Sequence, residues 1–399
     1  MMIKRRMFLA AGAALAAGSL SMRSTRALEA GATSRETQLE LLAEAAFGVL
    51  KSPGLAYGVV RDGQVLLKRG LGVKELGTSE PVTPQTLFHI ASVTKPFVAT
   101  VLAQRIDQRR LRLDQRLVEL LPEFRLDDPR ASAITIEQVL THSSGLPDVK
   151  DYEWQRHESD EAALQRYLAT LSHSELLFAP GTSFAYSNIG FEVLARLIEV
   201  LDGAPFETAV RRTLLAPLKM SRSTLYYPEV DKAMLAMPHI VDEHGMVRRG
   251  SVFPYNRPHA GSSTLLSCVD DMLRWVRFNL DEGALDGVRI LSPAVARDLR
   301  TARAIEAKGP GYPPEVRPAL SWFVLPRRGR EIALHPGRDV GFHALCLLCP
   351  QDRYGLAAMT NGGDENSAQT LLNFAFSAID TGLLAPTAPA QTADSAVRS

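Results

Sequence analysis

The stretch IASVTKPF, residues 90–97, places a hydroxyl at Ser92 and an amine at Lys95. A serine hydroxyl is a poor nucleophile until a base within hydrogen-bond reach takes its proton. Residues three apart on a helix share a face, so Ser92 and Lys95 meet if a helix begins near Ser92. Pro96 fits that placement, because proline is tolerated in a first helical turn and not further in. A helix start also offers free backbone N–H groups and a positive dipole end, both suited to an oxyanion. Lys95 must lose its proton to act as base, which burial or a neighbouring cation favours. The same tetrapeptide is also what an ordinary capped helix looks like.

Two further clusters carry chemistry. FAYSNIG, residues 184–190, sets Tyr186 and Asn188 in a loop that opens a helix. A tyrosine there can relay a proton, and an asparagine amide can hold a substrate carbonyl or orient the lysine. LHPGRDVGFH, residues 334–343, sets His335 and Gly337 on a late strand. Glycine lets another backbone come close. An exposed strand edge can bind an acyl-amide substrate as an added strand.

Taken in order, Ser92-Val-Thr-Lys95, Tyr186-Ser-Asn188 and His335-Pro-Gly337 resemble the serine β-lactamase and penicillin-binding-protein superfamily. The pattern is most similar to the branch of class C β-lactamases, D-Ala-D-Ala carboxypeptidases and related carboxylesterases, which reads S-x-x-K, Y-x-N, then K-T-G or H-x-G. THSSGLPD (141–148), PGTSFAYSN (180–188) and LLAPLKMSRSTLY (214–226) resemble family text between the motifs. The resemblance covers roughly residues 45–380. It implies an α/β (α+β) fold of the β-lactamase/transpeptidase type, an antiparallel sheet flanked by helices with an inserted helical region. It also implies a mechanism without cofactor, and no H-E-x-x-H or spaced Cys/His set argues for a metal. Ser92 would form the acyl-enzyme, and Lys95 and Tyr186 would share the proton traffic, either of them serving as base. Asn188 would hydrogen-bond substrate or Lys95. His335 would replace the K-T-G lysine as an electropositive donor able to titrate near neutral pH. The backbone N–H groups of Ser92 and Arg338 would form the oxyanion hole.

One position departs from the pattern. The middle of K-T-G is a hydroxyl residue that helps bind a substrate carboxylate; here it is Pro336. Losing one hydrogen bond to a charged group costs about 1.5–3 kcal/mol. The departure favours esters or small peptides over efficient β-lactam hydrolysis, so the expected function is an exported serine hydrolase acting through a Ser92 acyl-enzyme on an ester or amide, like a carboxylesterase or a D-Ala-D-Ala carboxypeptidase. A class C-like β-lactamase is the alternative. An idle protein that only holds cell-wall peptides is the alternative of another class.

The elements that must position these residues follow from periodicity. GLAYGVVRDGQVLLKRGLGV (54–73) alternates on both sides of Asp62-Gly63, which predicts a tight hairpin. Phe97, Val98, Val101, Leu102 and Ile106 recur at helical steps, predicting one apolar face. TIEQVLTH (135–142) and NIGFEVLARLIEVLDG (188–203) are helical, the second closed by Gly203. Ser267 and Asp270 stand at capping-box spacing before a further helix. EIALHPG, FHALCLLC and YGLAAMTN read as late strands. Strands at both ends and helices between predict one sheet assembled from about 45–90 and 320–382, with a helix-rich region at about 91–300. His142 reads as packing at a helix end, Asp148 as a solvated turn residue, and His343 as alternating onto the face of His335. Cys346 and Cys349 fall on opposite faces of their strand, which argues for packing and against a redox pair.

The chain has 399 residues, 46% hydrophobic and 22% charged, with 45 basic residues against 44 acidic. That balance points to neither nucleic acid nor an anionic membrane as partner; the expected partner is a small acyl substrate or a cell-wall peptide. The first residues are a separate object. Lys4, Arg5 and Arg6 precede an Ala/Gly/Leu run too short to span a bilayer comfortably. Arg5-Arg6 followed by Phe8-Leu9 resembles a twin-arginine export signal. Residues 1–27 are therefore expected to be a signal cleaved after Ala27 or Ala30, which places the protein in the periplasm or outside the cell. The catalytic domain is expected over 28–382 and a loose tail over 383–399.

Overall fold

The computed structural model describes residues 34–307 and 312–383. The expected export signal, and all of the expected tail except Leu383, lie outside them. The Asp62-Gly63 dipeptide forms the hairpin turn: both residues take positive φ, 50° and 76°, as a two-residue type I′ turn requires. The turn joins β1 (Gly54–Arg61) to β2 (Gln64–Gly72). Five more strands come from the other end of the chain: β3 (Arg317–Pro318), β4 (Phe323–Arg327), β5 (Arg330–Asp339), β6 (Phe342–Cys349) and β7 (Tyr354–Thr360). They form one sheet in the order β2-β1-β7-β6-β5-β4-β3. Every neighbouring pair is antiparallel. The two ends of the chain meet where β1 pairs with β7, from Leu55 opposite Thr360 to Arg61 opposite Tyr354.

Period-two alternation divides the central strands between two cores. On β6, Ala344, Cys346 and Leu348 face one core, and Leu345, Leu347 and Cys349 face the other. The two cysteines lie on opposite faces as the alternation predicts. Both cysteines are buried and free. Helices α1 (Arg35–Val49) and α5 (Ser367–Asp380) close one face, where Tyr57 meets Phe374 edge-on at 5.5 Å. Helices α2 (Thr94–Asp107), α3 (Asn188–Asp202) and α4 (Val269–Leu280) belong to the region inserted between the two sets of strands. Trp275 of α4 stacks on Phe97 of α2 at 3.9 Å, which joins two helices of that region, while Val269, Leu273 and Val276 of α4 lie against Gly58 of β1 and Gly355 of β7. This is the α+β architecture of an antiparallel sheet covered by helices that the motifs implied.

Two local expectations are corrected. Helix α2 was expected to be half-buried, yet Thr94 through Arg105 are buried on every side. Its polar members are satisfied internally: Thr100 donates to Pro96 O, Gln104 to Thr213 O, and Arg105 pairs with Asp202. Ser267 does not cap α4. The cap position is Cys268 and carries no side-chain bond. Ser267 is held by Ser223 Oγ at 2.8 Å, while Asp270 pairs with Lys68 at 2.7 Å.

Candidate active site

Ser92 sits in a 3-10 turn, Ala91–Val93, that runs directly into α2. Ala91 takes φ 49°, a conformation L-residues seldom adopt. Thr94 closes the turn by donating from Oγ1 to Ala91 O at 2.7 Å. The regular helix thus starts two residues after Ser92, but the turn keeps the three-residue offset, and Pro96 lies within the first turn of α2. Ser92 is 7% exposed and Lys95 wholly buried. Lys95 Nζ lies 3.1 Å from Ser92 Oγ, within hydrogen-bond reach.

Two more acceptors hold Lys95. Asn188 Oδ1 is 2.7 Å from Nζ and Ser262 O is 2.8 Å away. Asn188 is the first residue of α3, just after the Ser187 cap whose Oγ accepts from Gly190 N–H. Asn188 donates from Nδ2 and from its backbone N–H to Asp148 Oδ1, at 2.7 and 2.9 Å. The amide orientation is therefore dictated on both sides, with the carbonyl toward Lys95 Nζ and the NH2 toward Asp148 Oδ1. Of the two roles open to Asn188, the structure shows contact with Lys95. Ser262 is placed from below, where its N–H donates to buried Glu192 at 3.2 Å.

Tyr186 forms the adjoining wall, with Lys95 Nζ 5.1 Å from its ring centroid. Buried His142 stacks on that ring at 4.3 Å and accepts from Ser187 N–H through Nδ1 at 3.2 Å. Burial, then the charge of Lys95, holds the His142 pKa well below its ordinary value. His142 stays neutral with its proton on Nε2, and packs as expected.

The late strand closes the site. β4 pairs with β5 only as far as Leu334, so β5 is a local edge from His335 onward, which accommodates Pro336. A Cβ on Gly337 would stand 2.2 Å from Ile90 O. Glycine is needed there because the segment leading to Ser92 lies against the strand leading to Arg338. The side chain of Arg338 is exposed, directed away from this contact. A second tie joins the same two segments: His89 Nε2 meets Asp339 Oδ2 at 3.1 Å, both almost fully buried.

Three expectations change. His335 is not an electropositive donor titrating near neutrality. It is fully buried, and burial with the nearby Lys95 charge pushes its pKa down to about 3. Its Nδ1 lies 2.7 Å from Pro336 O, an acceptor, so Nδ1 bears the proton and Nε2 presents a lone pair. Asp148 is no mere turn residue, since it orients Asn188. His343 faces away from His335: it pairs with Arg338, whereas His335 pairs with Cys346. The two-residue Val340-Gly341 turn inverts the simple count, and His343 packs against Gly362 O at 3.3 Å. Asp148, Ser262, and the His89–Asp339 pair escaped the sequence reading. Only Asp148 had a signal, as the carboxylate ending the family-like THSSGLPD. Among the described residues, no group of three or more His, Cys, Asp or Glu side chains is placed to hold a metal ion.

The fold is that of a class of serine hydrolases, and the family match points to the same class. The chain belongs to the β-lactamase family, whose profile matches residues 42–376, within the serine β-lactamase and penicillin-binding-protein superfamily. It is 30% identical over 321 residues to "Penicillin-binding protein 4" of Amycolatopsis lactamdurans, covering 78% of this chain and 81% of that one. It is 26% identical over 338 residues to "Unguisins hydrolase ungD" of Aspergillus violaceofuscus, covering 78% of this chain and 58% of that one. The fold is shared with the octameric penicillin-binding protein homologue from Pyrococcus abyssi (TM-score 0.68, 23% identity, 86% of this chain and 77% of that). It is also shared with a β-lactamase/D-alanine carboxypeptidase from Pseudomonas syringae (TM-score 0.71, 19% identity, 86% and 98%).

Proposed function

We propose that the protein hydrolyses esters or small amides through an acyl-enzyme on Ser92. The observation that carries this is the fully buried Lys95 amine held 3.1 Å from Ser92 Oγ by two further acceptors. Ser92 Oγ attacks the acyl carbon while its proton passes to Lys95 or Tyr186. The backbone N–H groups of Ser92 and Arg338 take the developing oxyanion. The leaving group departs with a proton, and water then cleaves the ester on Ser92. His335 stays neutral beside this path and serves as a hydrogen-bond acceptor rather than a cation.

The substrate reading rests on what β5 offers. Neutral His335 and Pro336 supply neither a positive charge nor a hydroxyl to a substrate carboxylate. A neutral ester suits that edge better than a penicillin or a D-Ala-D-Ala terminus. The β-lactamase or carboxypeptidase reading draws support from the names of the Amycolatopsis and Pseudomonas proteins. The test compares kcat/KM for p-nitrophenyl acetate with the acylation rate by benzylpenicillin, in the wild type and in Pro336→Thr. The ester should be preferred, and the new hydroxyl should shift the ratio toward penicillin by about tenfold or more. A wild type that prefers penicillin, or an unchanged ratio, contradicts the reading. We also propose export through Arg5-Arg6 to the periplasm or beyond, which cell fractionation of an Arg5→Lys/Arg6→Lys variant tests.

A further inference from the structure

The groups around Lys95 divide by what they are able to do. Asp148 and Ser262 O offer only acceptor oxygens. Asp148 Oδ1 receives Asn188 Nδ2, Asn188 N–H and Val149 N–H at 2.7, 2.9 and 2.9 Å. The Asn188 amide must therefore turn its NH2 toward Asp148, leaving Oδ1 for Lys95 at 2.7 Å. Ser262 O takes a second direction about Nζ at 2.8 Å. A third direction leads to Ser92 Oγ at 3.1 Å, longer than the other two. In the amine form of Lys95, two hydrogens satisfy the two fixed acceptors, and the lone pair lies along the third direction. On the reading in which Lys95 is the base, that lone pair takes the Ser92 proton.

We propose that Asp148 is a positioning residue for the nucleophile: by fixing the Asn188 amide, it reserves the Lys95 lone pair for the Ser92 hydroxyl. Without Asp148 the amide is free to turn over about Cβ–Cγ and present an N–H to Lys95. The lone pair then accepts from Asn188, and the Ser92 hydroxyl loses its acceptor. The effect falls on acylation and not on substrate binding. Asp148 acts only through Asn188, so its removal matters only while Asn188 is present.

The test follows the second-order rate at which a fluorophosphonate labels Ser92, with kcat and KM on p-nitrophenyl acetate and thermal unfolding of each variant alongside. Asp148→Ala should slow labelling by about 10- to 100-fold, the scale on which small misplacements act, with KM changed less than about threefold. Asp148→Asn retains a carbonyl that the backbone N–H groups of Asn188 and Val149 hold in the Oδ1 position as acceptor, and should stay within about threefold of wild type. The double variant Asp148→Ala/Asn188→Ala should label no more slowly than Asn188→Ala alone. If Asp148→Ala does not fold, Asp148→Ser takes its place; a hydroxyl gives as well as accepts and leaves the amide orientation open, so labelling should again fall below that of Asp148→Asn. Wild-type labelling by the alanine or serine variant overturns the proposal. So do losses that multiply in the double variant, or an Asp148→Asn variant as slow as Asp148→Ala. The probe reports Ser92 directly, so the substrate preference proposed above stands or falls separately.

Discussion

Gly337 shows how closely the two backbones approach at the site. The first atom of any side chain there would lie 2.2 Å from Ile90 O, and a backbone oxygen cannot swing aside as a flexible side chain does. Gly337→Ala should push the Ser92 turn off β5, lowering kcat/KM more than tenfold and stability by about 1–3 kcal/mol; ester kinetics and urea unfolding check both. The grouping of Ser92, Lys95, Tyr186 and Asn188 was legible through the ordered motifs that resemble the β-lactamase superfamily, not through the three- and two-residue spacings alone, and the structure brings the four together. The charge of His335 was not legible. It depends on burial and on Lys95, which lies 240 positions away in the chain, and only folding brings them together. Asp148 was misread for the same reason, since a carboxylate in a turn looks solvated until its partner is seen.

At the scale of elements, the site is a seam between the Ser92 turn and the free end of β5. Gly337 sets the approach, and the buried His89–Asp339 pair latches it. Asp339 follows Arg338 directly, so loosening the latch should widen the gap between the Ser92 and Arg338 N–H groups. Asp339→Ala should reduce kcat by tenfold or more and leave KM nearly unchanged, as expected when a group acts in the transition state alone. A change confined to KM would assign the latch to substrate binding instead. The strands and the β1–β2 turn were legible from alternation and from Asp62-Gly63. The extent of burial of α2 was not, because its polar residues face partners such as Thr213 and Asp202 that no local pattern reveals. The face of His343 was missed because counting by twos fails across a two-residue turn.

At the scale of the molecule, strands from both chain ends close one sheet, and the long inserted region supplies Ser92, Lys95, Tyr186, Asn188 and Ser262. That order of strands and helices was legible, whereas the contacts across it were not. The same burial leaves a mark on acid stability. In an unfolded chain histidine titrates near about 6.5. The folded protein holds His335 down to about 3 and His343 to about 4, mainly by burial. Between those values and about 6.5 the unfolded chain binds more protons, so stability falls as pH drops through this window. The slope reaches up to about 1.4 kcal/mol per pH unit for each histidine. Melting temperature should decline from pH 7 to pH 4, and His343→Asn should flatten the decline; an unchanged slope would contradict the assignment. Trp275→Ala should remove the stack on Phe97 and cost about 3–5 kcal/mol in urea unfolding.

The central claim is that Ser92 carries the acyl group. The most direct measurement is intact-mass analysis, with peptide mapping, of protein quenched in acid during turnover of p-nitrophenyl acetate, beside Ser92→Ala. The account predicts one acetyl group on the peptide containing Ser92 in the wild type, absent from the variant, which also loses turnover. Hydrolysis that continues in Ser92→Ala, or an acetyl group borne elsewhere, would contradict it.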